Sequence, residues 1–140
     1  MSFEGGRARP RPTPETQHFW EGTRAGEVRL QRCRPASHIY FPPRPFCPVC
    51  NANDVEVVRA SGRATLYSYV ITHRPAPGFT APYAIAVVQL EEGPRMMSNI
   101  VECPQTPEAL ELDMPLEVTF ERLDDEITLA QFRPADGVRP

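Results

Sequence analysis

Apolar positions fall into two textures along the chain. Between residues 13 and 60 they are sparse and broken by proline; from residue 62 onward they recur in runs with strand-like alternation. The first texture opens with a helix signature over 13–26. Thr13 can cap, Pro14 suits the first helical position, Glu15 faces the positive end of the dipole, and Gly26 supplies a stop. Its only large apolar residues are the neighbours Phe19 and Trp20, too narrow a stripe to hold a helix deep in a core of its own. Residues 1–12, rich in Gly, Pro and Arg, read as a disordered tail, and 135–140 as a second tail. Val28-Arg29-Leu30-Gln31-Arg32-Cys33 alternates as a short strand. Pro42-Pro43-Arg44-Pro45 must be extended, because each proline pushes its predecessor toward β or polyproline geometry. A tight turn, Cys47-Pro48-Val49-Cys50-Asn51, and a strand over 55–59 complete a β unit at 27–60 whose apolar content is too thin to stand on strands alone.

The second texture, 61–134, holds five β-type runs at 62–73, 83–90, 95–101, 116–122 and 126–132. Glu91-Glu92-Gly93-Pro94 and Asp124-Asp125 mark hairpins, and a longer loop at 74–82 carries Pro75, Pro77 and Pro82. Residues 107–110 suit one helical turn between the third and fourth strands. That layout is the one an OB-fold barrel uses, with a sandwich as the rival on spacing alone. The fold class expected is mainly β: an N-terminal helix, a small β unit and a C-terminal five-stranded barrel.

Composition then narrows the classes. Seventeen prolines in 140 residues, more than twice the usual ~5%, exclude a helical bundle or a long coiled coil. No apolar stretch approaches the ~20 residues of a membrane span, and the first residues lack a signal-peptide core, so a cytoplasmic protein is expected. The net charge of −3 weighs against a general nucleic-acid binder. Every basic residue is arginine, so each cationic contact can be planar and bidentate.

Cysteines at 33, 47, 50 and 103 bring in the chemistry. In a reducing compartment metal binding or buried thiols outrank disulfides. Cys47-Pro48-Val49-Cys50 is a complete zinc turn, whereas Cys33 is followed three residues later by Ala36 where a second thiolate would stand. His38 can complete the shell, as can a water or another neighbour. The competing reading is a ribbon that has lost its metal and packs its thiols as small apolar groups. Arg44, stiffened by prolines, can meet a phosphate or carboxylate bidentately, or bond a nearby carbonyl. Cys103 and His73 make a nucleophile–base pair only if the fold unites them, and a buried thiol is the stronger reading. Tyr67 and Tyr69, two apart on a strand, share a face that suits base stacking, core or an interface. Glu91, Glu92, Asp124 and Asp125 read as solvated turn residues. No phosphate loop, H-E-x-x-H or G-x-S-x-G occurs.

Taken in order, Phe19-Trp20-Glu21, Leu30-Gln31-Arg32-Cys33, Tyr40-Phe41-Pro42-Pro43-Arg44-Pro45, Cys47-Pro48-Val49-Cys50, the run from Gly62 to Tyr69, Val118-Thr119-Phe120-Glu121 and Phe132-Arg133-Pro134 resemble one family. It is the zinc-ribbon plus OB-fold family once labelled domain of unknown function thirty-five and described as acyl-CoA-associated. The resemblance spans about 14–134. It implies a rubredoxin-like zinc ribbon at 27–60, an OB barrel at 61–134, zinc as cofactor, and Cys33, Cys47 and Cys50 as ligands. It also implies an accessory subunit, not an enzyme, that pairs with a thiolase-fold acyltransferase, synthase or steroid side-chain aldolase acting on acyl-CoA thioesters. By position Phe19 and Trp20 become partner contacts, with the barrel near the acyl-CoA path. Ala36 stands where the family has cysteine and Asp113 where it has glycine. A single-stranded nucleic-acid-binding OB module is the alternative, since ribbons and OB barrels serve that end too.

Overall fold

The computed structural model describes residues 7–135; of the tails expected at 1–12 and 135–140, residues 1–6 and 136–140 lie outside them. The helix, α1 (Gln17–Arg24), is shorter than the expected 13–26. Thr13 to Thr16 fold into a turn instead: the Thr16 N–H donates to the Thr13 carbonyl at 3.0 Å, and the Thr13 N–H to Thr16 Oγ1 at 2.9 Å. That hydroxyl is thereby used and gives α1 no side-chain cap. The end matches the expectation. Gly26, at φ +84°, lets the Glu27 N–H reach the Gly22 carbonyl and its own N–H the Thr23 carbonyl, which satisfies two orphan acceptors.

Three strands follow: β1 (Arg29–Cys33), β2 (Ile39–Tyr40) and β3 (Val55–Arg59), ordered β2-β1-β3 and antiparallel. Alternation along β1 divides its side chains between two cores. Val28 and Leu30 belong to the main core with the barrel, while Cys33 packs with Tyr40 and Cys47 in a small cluster of its own. Phe19 joins the main core at 8% exposure, edge-on to Trp20 and tilted against Phe41. The exposed aromatic pair suggested by the sequence is therefore half exposed. Phe19 is covered because β1 and the barrel give the short helix an apolar surface that its own stripe lacks. Trp20 remains half-buried at the edge.

The second sheet holds β4 (Arg63–Thr72), β5 (Tyr83–Leu90), β6 (Arg95–Ser98), β7 (Pro115–Arg122) and β8 (Thr128–Pro134) in the order β6-β5-β4-β7-β8. The sheet curls, and a parallel bridge between Ile100 and Phe132 draws its two edges together. The Val101 N–H donates to the Phe132 carbonyl at 2.8 Å, and the Phe132 N–H to the Asn99 carbonyl at 3.1 Å. This is the five-stranded OB layout, not a sandwich. Between β6 and β7 a single turn at 107–109 seats Leu110 in the core, its N–H on the Thr106 carbonyl.

A bulge interrupts β4 between Leu66 and Ser68. Before it Ala64 and Leu66 point inward; after it Tyr69 and Ile71 do. Tyr67 is left on the outside, so Tyr67 and Tyr69 occupy opposite faces, contrary to the simple alternation. Residues 7–12 form no helix or strand, yet they are tied to the barrel. Arg7 donates to Glu121 at 2.6 Å and lies 4.2 Å over the Phe79 ring, and Arg9 pairs with Asp124 and Glu126. Among the described residues no helix is long and apolar enough to cross a membrane.

Candidate metal centre

Two backbone knuckles of the same design build the site. In the first, the Cys33 N–H donates to the His38 carbonyl at 3.0 Å and the Cys33 carbonyl accepts from the Ser37 N–H at 2.8 Å. In the second, the Cys47 N–H donates to the Ala52 carbonyl at 2.8 Å and the Cys47 carbonyl accepts from the Asn51 N–H at 2.9 Å. Ser37 and Asn51 sit at equivalent points with φ of 58° and 61°, a conformation that short polar side chains tolerate. Superposing the knuckles residue on residue places Ala36 where the second has Cys50, and His38 where it has Ala52. The first turn has thus exchanged a thiolate at its third step for an imidazole at its fifth.

That exchange keeps four donors together. One ligand atom from each of Cys33, His38, Cys47 and Cys50 lies within 4.8 Å of every other. His38 Nδ1 is 3.4 Å from Cys33 Sγ and 3.5 Å from Cys47 Sγ, and Cys50 Sγ is 3.9 Å from Cys33 Sγ. A tetrahedral zinc implies edges of about 3.8 Å between thiolates and about 3.5 Å from thiolate to imidazole, so the donor set fits that ion. The backbone prepares the thiols. Burial pushes Cys33 and Cys47 up, but N–H groups outweigh it and hold both below the ordinary thiol value: those of His38 and Ala36 for Cys33, and of Cys50 and Val49 for Cys47. At Cys50 the Ala52 N–H works downward, while burial and the neighbouring sulfurs leave that thiol raised. Such a proton is the one a bound cation displaces.

Gln31 and Tyr40 support the site although the sequence reading gave neither a role. Buried Gln31 accepts the Arg44 N–H at 2.7 Å, and the Tyr40 hydroxyl donates to the Arg44 carbonyl at 3.2 Å. The visible signal was a glutamine on the inward phase of β1. Arg44 is thereby fixed at its backbone, while its guanidinium is exposed and bonds no carbonyl or carboxylate among the described residues. Cys103 lines a cleft of about 380 Å³ with Glu102, Glu108 and Met114; His73 is exposed on the β4–β5 loop and is not among the lining residues. A second cleft, about 280 Å³, opens between α1 and the barrel edge, walled by Phe19, Trp20, Phe41, Met96, Met97 and Leu129.

Two family models match in sequence: the ChsH2 rubredoxin-like zinc ribbon domain over residues 20–56 and the ChsH2 C-terminal OB-fold domain over 57–121. The chain belongs to the ChsH2, or DUF35, family. A DUF35 domain-containing scaffold protein of Methanocaldococcus jannaschii is 36% identical over 98 residues, 68% of this chain and 68% of that protein. A probable enoyl-CoA hydratase alpha subunit of Thermomonospora curvata is 38% identical over 130 residues, 91% of this chain and 40% of that one. The chain thus spans well under half the length of that relative. Among solved structures, a chain of the "Ltp2-ChsH2(DUF35) aldolase" superposes with a TM-score of 0.82 at 35% identity, covering 90% of this chain and 98% of that one. A DUF35 protein from Sulfolobus solfataricus shares the fold, with a TM-score of 0.63 at 15% identity. Membership in a zinc ribbon family agrees with the four-donor cluster.

Proposed function

We propose that this chain is a non-catalytic accessory subunit that binds a thiolase-fold enzyme acting on acyl-CoA thioesters, stabilising it and shaping its substrate channel. The observation that carries this reading is the near full-length match to the DUF35 chain of an aldolase assembly. Two further relatives support the thioester class: the benzoylsuccinyl-CoA thiolase subunit BbsA of Thauera aromatica, and the 3-oxo-4,17-pregnadiene-20-carboxyl-CoA hydratase alpha subunit of Mycobacterium tuberculosis. The hydratase names belong to proteins more than twice as long, so no hydratase chemistry is assigned here. We divide the work among a docking helix at 13–26, a ribbon at 27–60 and a barrel at 61–134. Zinc held by Cys33, His38, Cys47 and Cys50 would join the two knuckles and leave no open position for catalysis. Arg44, fixed in its backbone, is free to meet a phosphate or carboxylate at the assembly surface. Cys33, Cys47 and Cys50, held as thiols, suit a reducing cytoplasm.

Trp20 is the docking residue in this scheme, with buried Phe19 as its brace. A half-buried tryptophan above an apolar cleft has the character of an interface anchor. Co-expression with a thiolase-fold protein encoded beside this chain should give a complex, and Trp20→Ala should weaken it by about 2 kcal/mol or more. Failure of the wild-type pair to associate would sink the reading; an unaffected variant complex would remove only the role of Trp20.

A further inference from the structure

An antiparallel sheet with one face in the core normally turns polar residues to water on the other. The β7–β8 half obeys this: Glu117 and Arg133 pair across the strands at 2.9 Å, and Glu121 takes Arg7. The β4–β5–β6 half does not. Tyr83-Ala84-Ile85-Ala86-Val87-Val88 in β5 is apolar at every position, with Ala84, Ala86 and Val88 buried inward. Of its outward residues, Ile85 meets Val70 and Val87 meets Met97 across the strands, with Ser68 the polar neighbour. Val70 is 61% exposed, Met97 74% and Tyr67 46%, so a continuous apolar face lies open. A strand that is apolar on both sides reads as one covered on both sides.

We infer that the outer face of β4, β5 and β6 is a second docking surface, covered by the same thiolase-fold partner through an apolar patch that bears a carboxylate. This rests on the accessory-subunit reading and adds the surface to it. Two observations select that occupant. Met97 belongs both to this face and to the cleft walled by Trp20, so the two surfaces are continuous. The face carries two arginines: Arg63 at the start of β4, which is paired, and Arg95, which lies 3.7 Å over the Tyr67 ring and bonds Gln89 at 2.9 Å. Arg95 has no carboxylate partner among the described residues; the nearby Glu91 is taken by Arg63 at 2.6 Å. A second copy docking face to face would bring the same patch, whose nearby carboxylate Glu91 already serves Arg63 and so leaves Arg95 unmatched. A different protein can place an acidic side chain opposite Arg95.

The test measures binding of the full chain to a purified thiolase-fold protein from the same genome, by titration calorimetry and light scattering. Val70→Glu/Met97→Glu should raise Kd about 100-fold or more, and Arg95→Glu about 10-fold or more, with far-UV circular dichroism and zinc content unchanged. Asp125→Ala on the far hairpin is the control and should bind as wild type. Wild-type binding that survives the double substitution within about threefold overturns this inference and leaves the functional reading standing. A homodimer of the chain alone that the double substitution dissolves also overturns it, since the face then belongs to a second copy. No binding by the wild-type chain fells the functional reading itself, and this inference with it.

Discussion

Ala36 and His38 decide how the metal centre is closed. The first knuckle repeats the two backbone hydrogen bonds of the second, yet it lacks the thiolate at position 36 and gains an imidazole at position 38. Ala36 is exposed, as Cys50 is at the equivalent point, so a larger side chain there meets no packing obstacle from burial. His38→Ala should therefore lower zinc affinity by about 10-fold or more, since three thiolates leave one tetrahedral position to water. Ala36→Cys in the same background should restore most of the loss by returning a thiolate to the knuckle. Competition against a chromophoric chelator reads both steps. Restoration without loss of the barrel's circular dichroism would establish the equivalence of the two positions, and a double variant as weak as His38→Ala would refute it. Cys47 and Cys50 stood out by their Cys-x-x-Cys spacing, whereas Cys33, with Ala36 in its partner position, left a metal-free ribbon as the rival reading. The choice of His38 over other donors needed the backbone, which bends through Ser37 to bring the imidazole back over Cys33.

Strands are the elements that the sequence specified best, and the reason is physical. Alternation in β7 encodes a core face directly, the unbroken apolar run of β5 marks a buried strand, and hairpins such as 91–94 carry their own turn residues. Elements whose shape depends on a neighbour were not legible. The bulge at Tyr67 exists only in the pairing of β4 with β5, so it reverses the phase of Tyr69 without any local mark. The start of α1 moved to Gln17 because two threonine hydroxyls bond each other at 3.1 Å, a choice that competes with capping. Burial of Phe19 depends on Val28 and Leu30, which propensity along the helix cannot register. The turn before β7 shows the opposite case, a sequence departure with a clear structural meaning. Asp113 adopts φ 67° and its N–H donates to the Leu66 carbonyl at 2.7 Å, so the turn that sits beside the bulge requires a left-handed residue. Asp113→Gly should then stabilise the chain by about 0.5 kcal/mol, and Asp113→Val should destabilise it by about 1–2 kcal/mol. Thermal melts of the two variants, moving in opposite directions, check this; a loss with glycine would mean that the aspartate side chain matters more than the backbone angle.

Ribbon and barrel are coupled through one core, since Phe19, Val28 and Leu30 from the N-terminal half pack with Leu66, Ile100 and Phe132 from the other. The ribbon's own cluster of Cys33, Tyr40 and Cys47 is too small to stand apart, so its order depends on the metal on one side and the barrel on the other. Unfolding at neutral pH should accordingly be one cooperative transition. Acid should act on it in two stages. Zinc leaves first, because protons compete for its thiolates and imidazole. The carboxylates follow at lower pH. Glu56 on β3 is held below its usual range chiefly by Arg32, Glu91 by Arg63, and Asp124 by the N–H groups of Glu126 and Ile127 together with Arg9. A carboxylate with a depressed folded value contributes stability that is complete above its unfolded value, about 4, and is lost as pH falls through the folded one. Glu91 is exposed and Glu56 and Asp124 are partly so, which keeps each contribution small, but they tie three separate parts of the molecule and act together. Calorimetric scans at pH 7, 5 and 3, with and without a chelator, separate the stages. The chelator at pH 7 should reproduce the fall in Tm between pH 7 and 5, and it should leave the further fall below pH 4 unchanged. Two resolved transitions at pH 7 would instead mean that the ribbon folds independently of the barrel, and the shared core around Phe19 would then hold the halves together without making them one cooperative unit.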